Sequence, residues 1–397
     1  MNRLSLLLAA LLITGCGGER VAAPPDQRLD GPMPDFRAAT AASQISLMTQ
    51  NMYFGAPVEP IMAAPFDQVP AAVAQAWAIV QQTDFPARAA ALAGEIAKDK
   101  PDVIGLQEVA TFYVQTPSDF LSFDFGTGQV VVGNPFPNAT AVVIDFLPTL
   151  LGDLAARGLT YHVAAQVLDS DIEMPRFDGF APQGFPLFSD VRLKDYDVVL
   201  VRDGLAWENA ATGNFATVLP VNEILAVKRG WAAADVTVKG MTYRVVSTHL
   251  ESDNETTKRA QAEELVQLFA DETKPLIIVG DFNSGPGRTA PGGQQTYDFM
   301  LGSGYGDMWL LRSGAASDGF SCCNAGDLSN TTPDGWLTER IDLMLLRNVA
   351  GTGPRSGGSI MQAWLVGSEE KDLARDGVWP SDHAGVAARM TFPNPGR

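Results

Sequence analysis

The stretch Leu276-Ile277-Ile278-Val279-Gly280-Asp281-Phe282-Asn283-Ser284 holds the residues best suited to chemistry. Its four leading apolar residues, three of them β-branched, read as a strand buried on both faces. The strand stops at Gly280, where the chain can bend and approach a ligand closely. Asp281 and Asn283 follow, two apart, and in an extended segment they point the same way. Such a pair lets a carboxylate hold a water or a metal while an amide holds the substrate oxygen beside it. Gly, Asp and Asn are also ordinary turn residues, so alone the stretch is equally a strand end with an Asx turn. Other short polar clusters break the tie, each at the end of an apolar run. They are Asn51, Glu108 in Leu106-Gln107-Glu108-Val109, His249 in Ser247-Thr248-His249-Leu250, Asp342 in Arg340-Ile341-Asp342-Leu343, and Asp382-His383. The chain has three histidines, and two of them sit at strand ends beside acids or hydroxyls. One such histidine would be structural; two of three mark a site.

The elements that must carry these residues are legible. Alternation of Ile45, Leu47 and Thr49 gives a strand that delivers Asn51 to its end. Residues 102–109 form another strand, bringing Glu108 into an apolar run where a carboxylate is costly unless paired or bound to a cation. Pro86 to Lys98 is a helix with proline near its first turn. Ala139 to Arg157 is expected to be a helix kinked at Pro148 and closed by Gly158. The block 110–192, with its recurring Phe, Gly and Pro, reads as loops and a helix over one face of the site, setting substrate choice. Asp169, Asp171 and Glu173 read as a solvated loop rather than a second metal site. Residues 197–202 are a buried strand ending in the cation Arg202. Trp231–Val238 and Tyr243–Leu250 form a hairpin around Lys239-Gly240. Thr256 to Asp271 is an amphipathic helix, and residues 340–346 and 384–390 are further strands.

Composition sets limits. With 46% hydrophobic and 19% charged residues in 397, the chain is ordinary globular material, enough for one large α/β domain. Acidic residues outnumber basic ones 46 to 28, a formal charge of −18, and no basic run offers sequence-independent grip on nucleic-acid phosphates. The N-terminus has an apolar core, Leu4 to Ile13, too short to span a bilayer. It runs into Leu12-Ile13-Thr14-Gly15-Cys16, which resembles the lipobox of bacterial lipoproteins. That resemblance implies a signal peptide over 1–15, lipidation of Cys16, a flexible tether over 16–42, and one domain over 43–397 in the bacterial cell envelope, extracytoplasmic, with export to the outer membrane depending on the organism. Cys322 and Cys323 are adjacent, so they are either a strained vicinal disulfide or two free thiols, and neither has metal-ligand spacing.

Taken together and in this order, Asn51, Glu108, His249, Asp281, Asn283, Asp342, Asp382 and His383 resemble the endonuclease/exonuclease/phosphatase superfamily, the deoxyribonuclease I-like fold, from about Ile45 to Phe392. The resemblance implies an α/β four-layer sandwich, two mixed β-sheets face to face with helices outside, and a site where strand ends converge. It implies that Asp281 orients or deprotonates the attacking water and that Asn283 holds the phosphate. His383 then contacts the phosphate with its tautomer fixed by Asp342, and His249 is a second phosphate contact or general acid. Asp382 is a further metal ligand beside Glu108 and Asn51, whose hard oxygens suit Mg²⁺ or Mn²⁺ rather than Zn²⁺. Arg202 is either a phosphate contact or a structural strand-end cation. After His249 the chain reads Glu251-Ser252-Asp253, without the tyrosine-containing motif of the abasic-site repair branch, which disfavours that branch. The expected activity is metal-dependent phosphodiester hydrolysis by in-line attack of water, on nucleic acid or phospholipid. A phosphomonoesterase on sugar or inositol phosphates, a binding module on the same fold without catalysis, and a lipid-tethered scaffold are the alternatives. The membrane is reached through Cys16, and no protein partner is inferred.

Overall fold

Strand β14 (Leu276–Asp281) sends Ile277 and Val279 to one side and Leu276 and Ile278 to the other, and both sides are buried. A strand buried on two faces needs a layer on each, and the computed structural model supplies them. It describes residues 43–220, 226–287, 293–312, 317–332, 335–349 and 360–392. Cys16 and the expected signal and tether lie outside the described residues.

One sheet runs, in spatial order, β17 (Ile360–Val366), β18 (Gly385–Phe392), β1 (Ser43–Asn51), β2 (Val103–Gln107), β8 (Pro186–Arg202), β3 (Thr111–Gln115) and β6 (Ala141–Asp145), with β7 (Tyr161–Phe180) also paired along β8. The other runs β15 (Gly306–Asp307), β16 (Asp342–Arg347), β14, β13 (Met241–His249), β12 (Gly230–Val238) and β9 (Ala206–Asn214). Two small ribbons pair β4 (Leu121–Asp124) with β5 (Gln129–Val132) and β10 (Leu219–Pro220) with β11 (Ala226–Val227). Parallel and antiparallel pairs mix in both large sheets, as β1 with β2 and β1 with β18 show.

Side-chain alternation assigns each strand residue to a layer. Val103, Val199 and Val201 of the first sheet meet Ala234, Val245, Ile277 and Val279 of the second in the central core. The opposite face of the first sheet, with Ile104, Leu106, Val198 and Leu200, packs on α2 (Val69–Gln82), α3 (Phe85–Asp99) and α4 (Phe146–Ala156). The outer face of the second, with Val246, Ile278, Leu343 and Leu345, packs on α5 (Glu255–Leu268) and α6 (Gln295–Gly302). Two short helices, α1 (Glu59–Met62) and α7 (Met308–Leu311), complete the described elements. The architecture is the α/β four-layer sandwich of two mixed sheets. Gly105 of the first sheet faces the Val279 side chain of the second with no room for a Cβ.

Three local expectations change. Residues 141–145 form β6, and the helix begins only at Phe146. Ala141-Val142-Val143-Ile144 is a β-branched strand sequence, and Pro148 then falls in the helix's first turn, where its missing N–H costs nothing and no kink arises. Block 110–192 is mostly sheet rather than loops: β3, β6, β7 and β8 are members of the first sheet. Consequently Asp169, Asp171 and Glu173 lie on β7. Asp169 is buried, Asp171 pairs with Arg192 at 2.6 Å, and buried Glu173 accepts the Asn138 and Ala139 amides. Finally, Gly280 lies inside β14, and its missing side chain makes room for the Thr248 carbonyl of neighbouring β13 rather than for a ligand.

Candidate active site

Strand register gathers the chemistry at one end of the sandwich. Parallel β1 and β2 end together, Asn51 opposite Gln107, with Glu108 next in the chain. Parallel β13 and β14 place His249 opposite Asp281, and antiparallel β16 sets Asp342 opposite Asp281 from the other side. The segment entering β18 brings Asp382 and His383 beside Asn51: Ser381 Oγ donates to the Asn51 carbonyl at 2.8 Å, and Gln50 Nε2 donates to the His383 carbonyl at 3.2 Å. Tyr53, Glu108 and Asn283 have φ of 58°, 54° and 47°. Left-handed backbone at non-glycine residues costs energy and clusters where side chains must be aimed.

Asp281 Oδ2 is the hub. It accepts from Asn51 Nδ2 at 3.2 Å and lies 3.6 Å from His249 Nε2 and 3.8 Å from His383 Nε2. Its other oxygen accepts the Asn283 amide at 2.8 Å. Burial raises its affinity for a proton, but the two imidazoles and these donors outweigh burial and hold Asp281 below its ordinary value. The histidines are driven apart. Burial disfavours charge on His383, yet Asp342, at 2.8 Å from Nδ1, with Asp382 and Asp281, outweighs it, so His383 is held well above the ordinary range. His249 is pushed well below by burial and by Arg229, whose Nη1 lies 2.9 Å from its Nδ1. These shifts favour an ionised Asp281, a charged His383 and a neutral His249 near neutral pH. Asn283 adds its side-chain amide, 3.0 Å from His249 Nε2 and donating to the Leu250 carbonyl at 3.0 Å.

Glu108 and Asp382 make the second half. Burial, then repulsion from Asp195, pushes Glu108 up to about 7. Burial pushes Asp382 up to about 7 as well, with His383 opposing and Glu108 adding to the rise. Two half-buried carboxylates, one raising the proton affinity of the other, are a donor set for a hard cation. Asn51 departs from the expected ligand role: its Oδ1 accepts the Tyr53 amide at 2.9 Å, and its Nδ2 bridges Glu108 Oε1 at 3.0 Å to Asp281. It ties the two halves together as a donor.

Arg202 is a correction. Residue 201 pairs with 103 in the antiparallel β2–β8 ladder, so Arg202 lies at the far end of β2 from Glu108, about 20 Å away at about 3.3 Å per residue. There it forms an ion pair with Asp102 and is structural. The guanidinium at the site is Arg229, just before β12, buried and facing His249 and, at 3.6 Å, Asp195. Beneath it Asp169, Asp195 and Asp197 project between the sheets, and no donor reaches either oxygen of Asp169 or Asp197. Burial and mutual repulsion raise both well above the carboxylate range.

Sequence reasoning missed Arg229 and two further groups. Arg88, fully buried on α3, donates to the carbonyls of Thr83, Met52, Tyr53 and Pro380 at 2.8–3.2 Å, tying the segment after Asn51 to the one before Asp382. The signal was an arginine on the apolar face shared by Phe85, Ala89, Leu92 and Ile96. Lys258 of α5 donates from the interior to the Asn283 carbonyl at 2.7 Å. The structure joins Cys322 and Cys323 in a vicinal disulfide, with Cys323 Sγ 4.0 Å from His383 Nε2.

A sequence-family model described as the Endonuclease/Exonuclease/phosphatase family matches residues 48–383. No curated protein matches the chain. Among solved structures, an endonuclease/exonuclease/phosphatase from Bacteroides vulgatus superposes with a TM-score of 0.50 at 13% identity, over 88% of this chain and 99% of that one. D. rerio TDP2 with a single-strand DNA product gives 0.46 at 18%, over 88% and 99%. The mannosyl-6-phosphatase Bt3783 of Bacteroides thetaiotaomicron gives 0.45 at 14%, over 88% and 100%. Identities this low are a likeness of fold.

Proposed function

The chain belongs to the Endonuclease/Exonuclease/phosphatase family, whose members are phosphoester hydrolases, and from that premise we propose that it hydrolyses a phosphodiester by in-line attack of water. The observation that carries this reading is the convergence on Asp281 Oδ2 of His249 Nε2 at 3.6 Å and His383 Nε2 at 3.8 Å, with Arg229 behind the first ring and Asp342 behind the second. Asp281, kept ionised, orients the attacking water and takes its proton. His383 donates from Nε2 to a phosphoryl oxygen, and Asp342 holds the Nδ1 proton so that this nitrogen faces the substrate. Asn283 and His249 hold the phosphate from the side, with Arg229 fixing His249 as the neutral species. Glu108 and Asp382 hold the cation, Mg²⁺ or Mn²⁺, which when bound neutralises charge on the phosphoryl oxygens. Asn51 keeps Glu108 and Asp281 in register.

Charge balance supports a diester. Asp195, Glu251, Asp281 and Asp342 are buried here, with half-buried Glu108 and Asp382 beside them, against Arg229 and His383. A monoanionic diester is repelled less than a dianionic monoester. The natural diester is nucleic acid or phospholipid. We further propose that Cys16 carries lipid and tethers the domain outside the cytoplasm, from the lipobox-like Leu12-Ile13-Thr14-Gly15-Cys16; Cys16→Ser should move the protein from the membrane to the soluble fraction. The reaction is tested with bis-p-nitrophenyl phosphate and p-nitrophenyl phosphate, in Mg²⁺ or Mn²⁺ and in EDTA, on wild type and Asp281→Asn. EDTA-sensitive diester cleavage lost in Asp281→Asn supports the reading. Cleavage of the monoester alone refutes the diester assignment, and full activity in Asp281→Asn refutes the mechanism.

A further inference from the structure

Cys322 and Cys323 have no part in the reaction above, yet they lie against its centre. Backbone bridges join Cys322 to Glu339 and to His383, which explains why Cys322 is buried in this place. They do not explain Cys323, an exposed residue whose sulfur stands 4.0 Å from Nε2 of His383. Sγ of both cysteines and a ring nitrogen of His383 all fall within 4.8 Å of one another. Asp281 Oδ2 approaches the same Nε2 to 3.8 Å.

These separations are close to those of a tetrahedral metal centre. With bonds of about 2.3 Å to sulfur and about 2.0 Å to nitrogen or oxygen, a sulfur and a nitrogen on one Zn²⁺ sit about 3.5 Å apart, and a nitrogen and an oxygen about 3.3 Å. The Cys323–His383 and Asp281–His383 pairs each need to close by roughly 0.5 Å, and the two sulfurs, once the S–S bond is broken, to part to about 3.8 Å. The imidazole is already aimed: Asp342 Oδ2, 2.8 Å from Nδ1, takes that proton and leaves Nε2 as the ligating atom. A carboxylate behind a histidine is the usual support of a metal-bound imidazole. Two thiolates and an imidazole select a soft or borderline cation, unlike the all-oxygen pair Glu108 and Asp382.

We propose that, once reduced, Cys322 and Cys323 join His383 in a site for a thiophilic divalent cation such as Zn²⁺, with a further position on the Asp281 side of the ring, and that its occupancy blocks hydrolysis. The blocking half rests on the roles given to His383 and Asp281 above; the binding half does not. Reduction by a small thiol breaks the Cys322–Cys323 S–S bond. Two electrons pass to the cysteines, and the reductant leaves as its own disulfide. Zn²⁺ then displaces the thiol protons and the Nε2 proton to solvent. The disulfide, as the structure has it, spends both sulfurs and leaves the catalytic imidazole free of a soft cation.

Co²⁺ is the probe, because thiolate ligation gives it a charge-transfer band in the near ultraviolet that oxygen ligands do not. The full chain, in excess Mg²⁺, is titrated with Co²⁺ in three forms: reduced wild type, oxidised wild type and reduced Cys323→Ser. The band should appear with one equivalent in the reduced wild type and be absent in both others. Zn²⁺ should displace it, with binding weaker by on the order of 100-fold in the oxidised and Cys323→Ser forms. Hydrolysis of the diester by the reduced wild type should fall at the same Zn²⁺ concentration that displaces the band. No band in the reduced wild type, or an equal band in oxidised protein or in Cys323→Ser, overturns the proposal. A band with no hydrolysis in any form upholds the metal site and refutes the reaction. The oxidised and reduced wild types share one sequence, so the comparison stands even if Cys323→Ser folds poorly.

Discussion

Replacing Arg88 by methionine tests whether one buried cation holds the site together. Arg88 donates to four carbonyls, those of Met52 at 2.8 Å, Pro380 at 3.0 Å, Tyr53 at 3.1 Å and Thr83 at 3.2 Å. Methionine fills similar volume and donates nothing. Each buried carbonyl left without a donor costs about 1–3 kcal/mol, so four give an upper range of about 4–12 kcal/mol. Against this stands the desolvation of the guanidinium, several kcal/mol that the variant no longer bears; burial already pulls Arg88 down to about 10. The net expectation is a loss of about 3–5 kcal/mol, the cost found when one partner of a buried charged network is removed. Because these carbonyls flank Asn51 on one side and Asp382-His383 on the other, misplacement of about 1 Å should also lower kcat about 100-fold. Urea unfolding followed by tryptophan fluorescence reads the first quantity, and diester hydrolysis at a concentration of urea well below the transition reads the second. An unchanged midpoint with unchanged slope would show that water or backbone adjustment replaces the four bonds, and the reasoning from orphaned acceptors would fail.

Other expectations follow from the same geometry. Asp342→Asn should lower kcat by about 10²–10³, that is about 2.7–4 kcal/mol of transition-state stabilisation. Its alkaline limb should also move to lower pH, because the carboxylate that keeps His383 charged is gone; a pH–rate profile with an unmoved limb would remove Asp342 from that role. The Asp169 and Asp197 carboxyls are raised in the fold by burial and repulsion. Their contribution is complete below the unfolded aspartate value of about 4 and is lost as pH rises through the folded value. Asp197→Asn should therefore flatten the decline of Tm as pH rises above about 4, and an equal decline in both proteins would refute the raised Asp197 carboxyl. Gly280→Ala should cost about 3 kcal/mol or more by chemical denaturation, since its Cβ would overlap the Thr248 carbonyl oxygen within a packed ladder; a variant as stable as wild type would mean β13 and β14 can separate freely.

How much was legible can be judged residue by residue. β14 could be read because its apolar run is buried on both faces and ends in polar residues, so local sequence and tertiary layer agree. The α3 helix and the Lys239-Gly240 turn were equally local matters. Arg229 could not be read: it lies in the short link between β11 and β12, and only the pairing of β12 with β13 carries it beside His249. Arg202 misled for the converse reason, since a strand-end cation looks the same at either end of a strand, and direction appears only when β8 runs antiparallel to β2. Block 110–192 failed because its long strands are broken by register shifts between 163 and 165, 168 and 170, and 177 and 179, which scramble the period-two pattern.

The sequence by itself marked Asp281, Asn283, His249, Asp342 and His383 as candidates and placed the strand ends that bear them, because those depend on residue type and on hydrophobic runs a few residues long. Strand order, direction and register were left to the tertiary structure, because they depend on which distant runs bury one another. From that register come the 3.6 and 3.8 Å approaches that hold Asp281 ionised between two histidines. The opposite shifts of those histidines, His249 lowered by burial and Arg229 and His383 raised by Asp342 against burial, exist only in the folded chain.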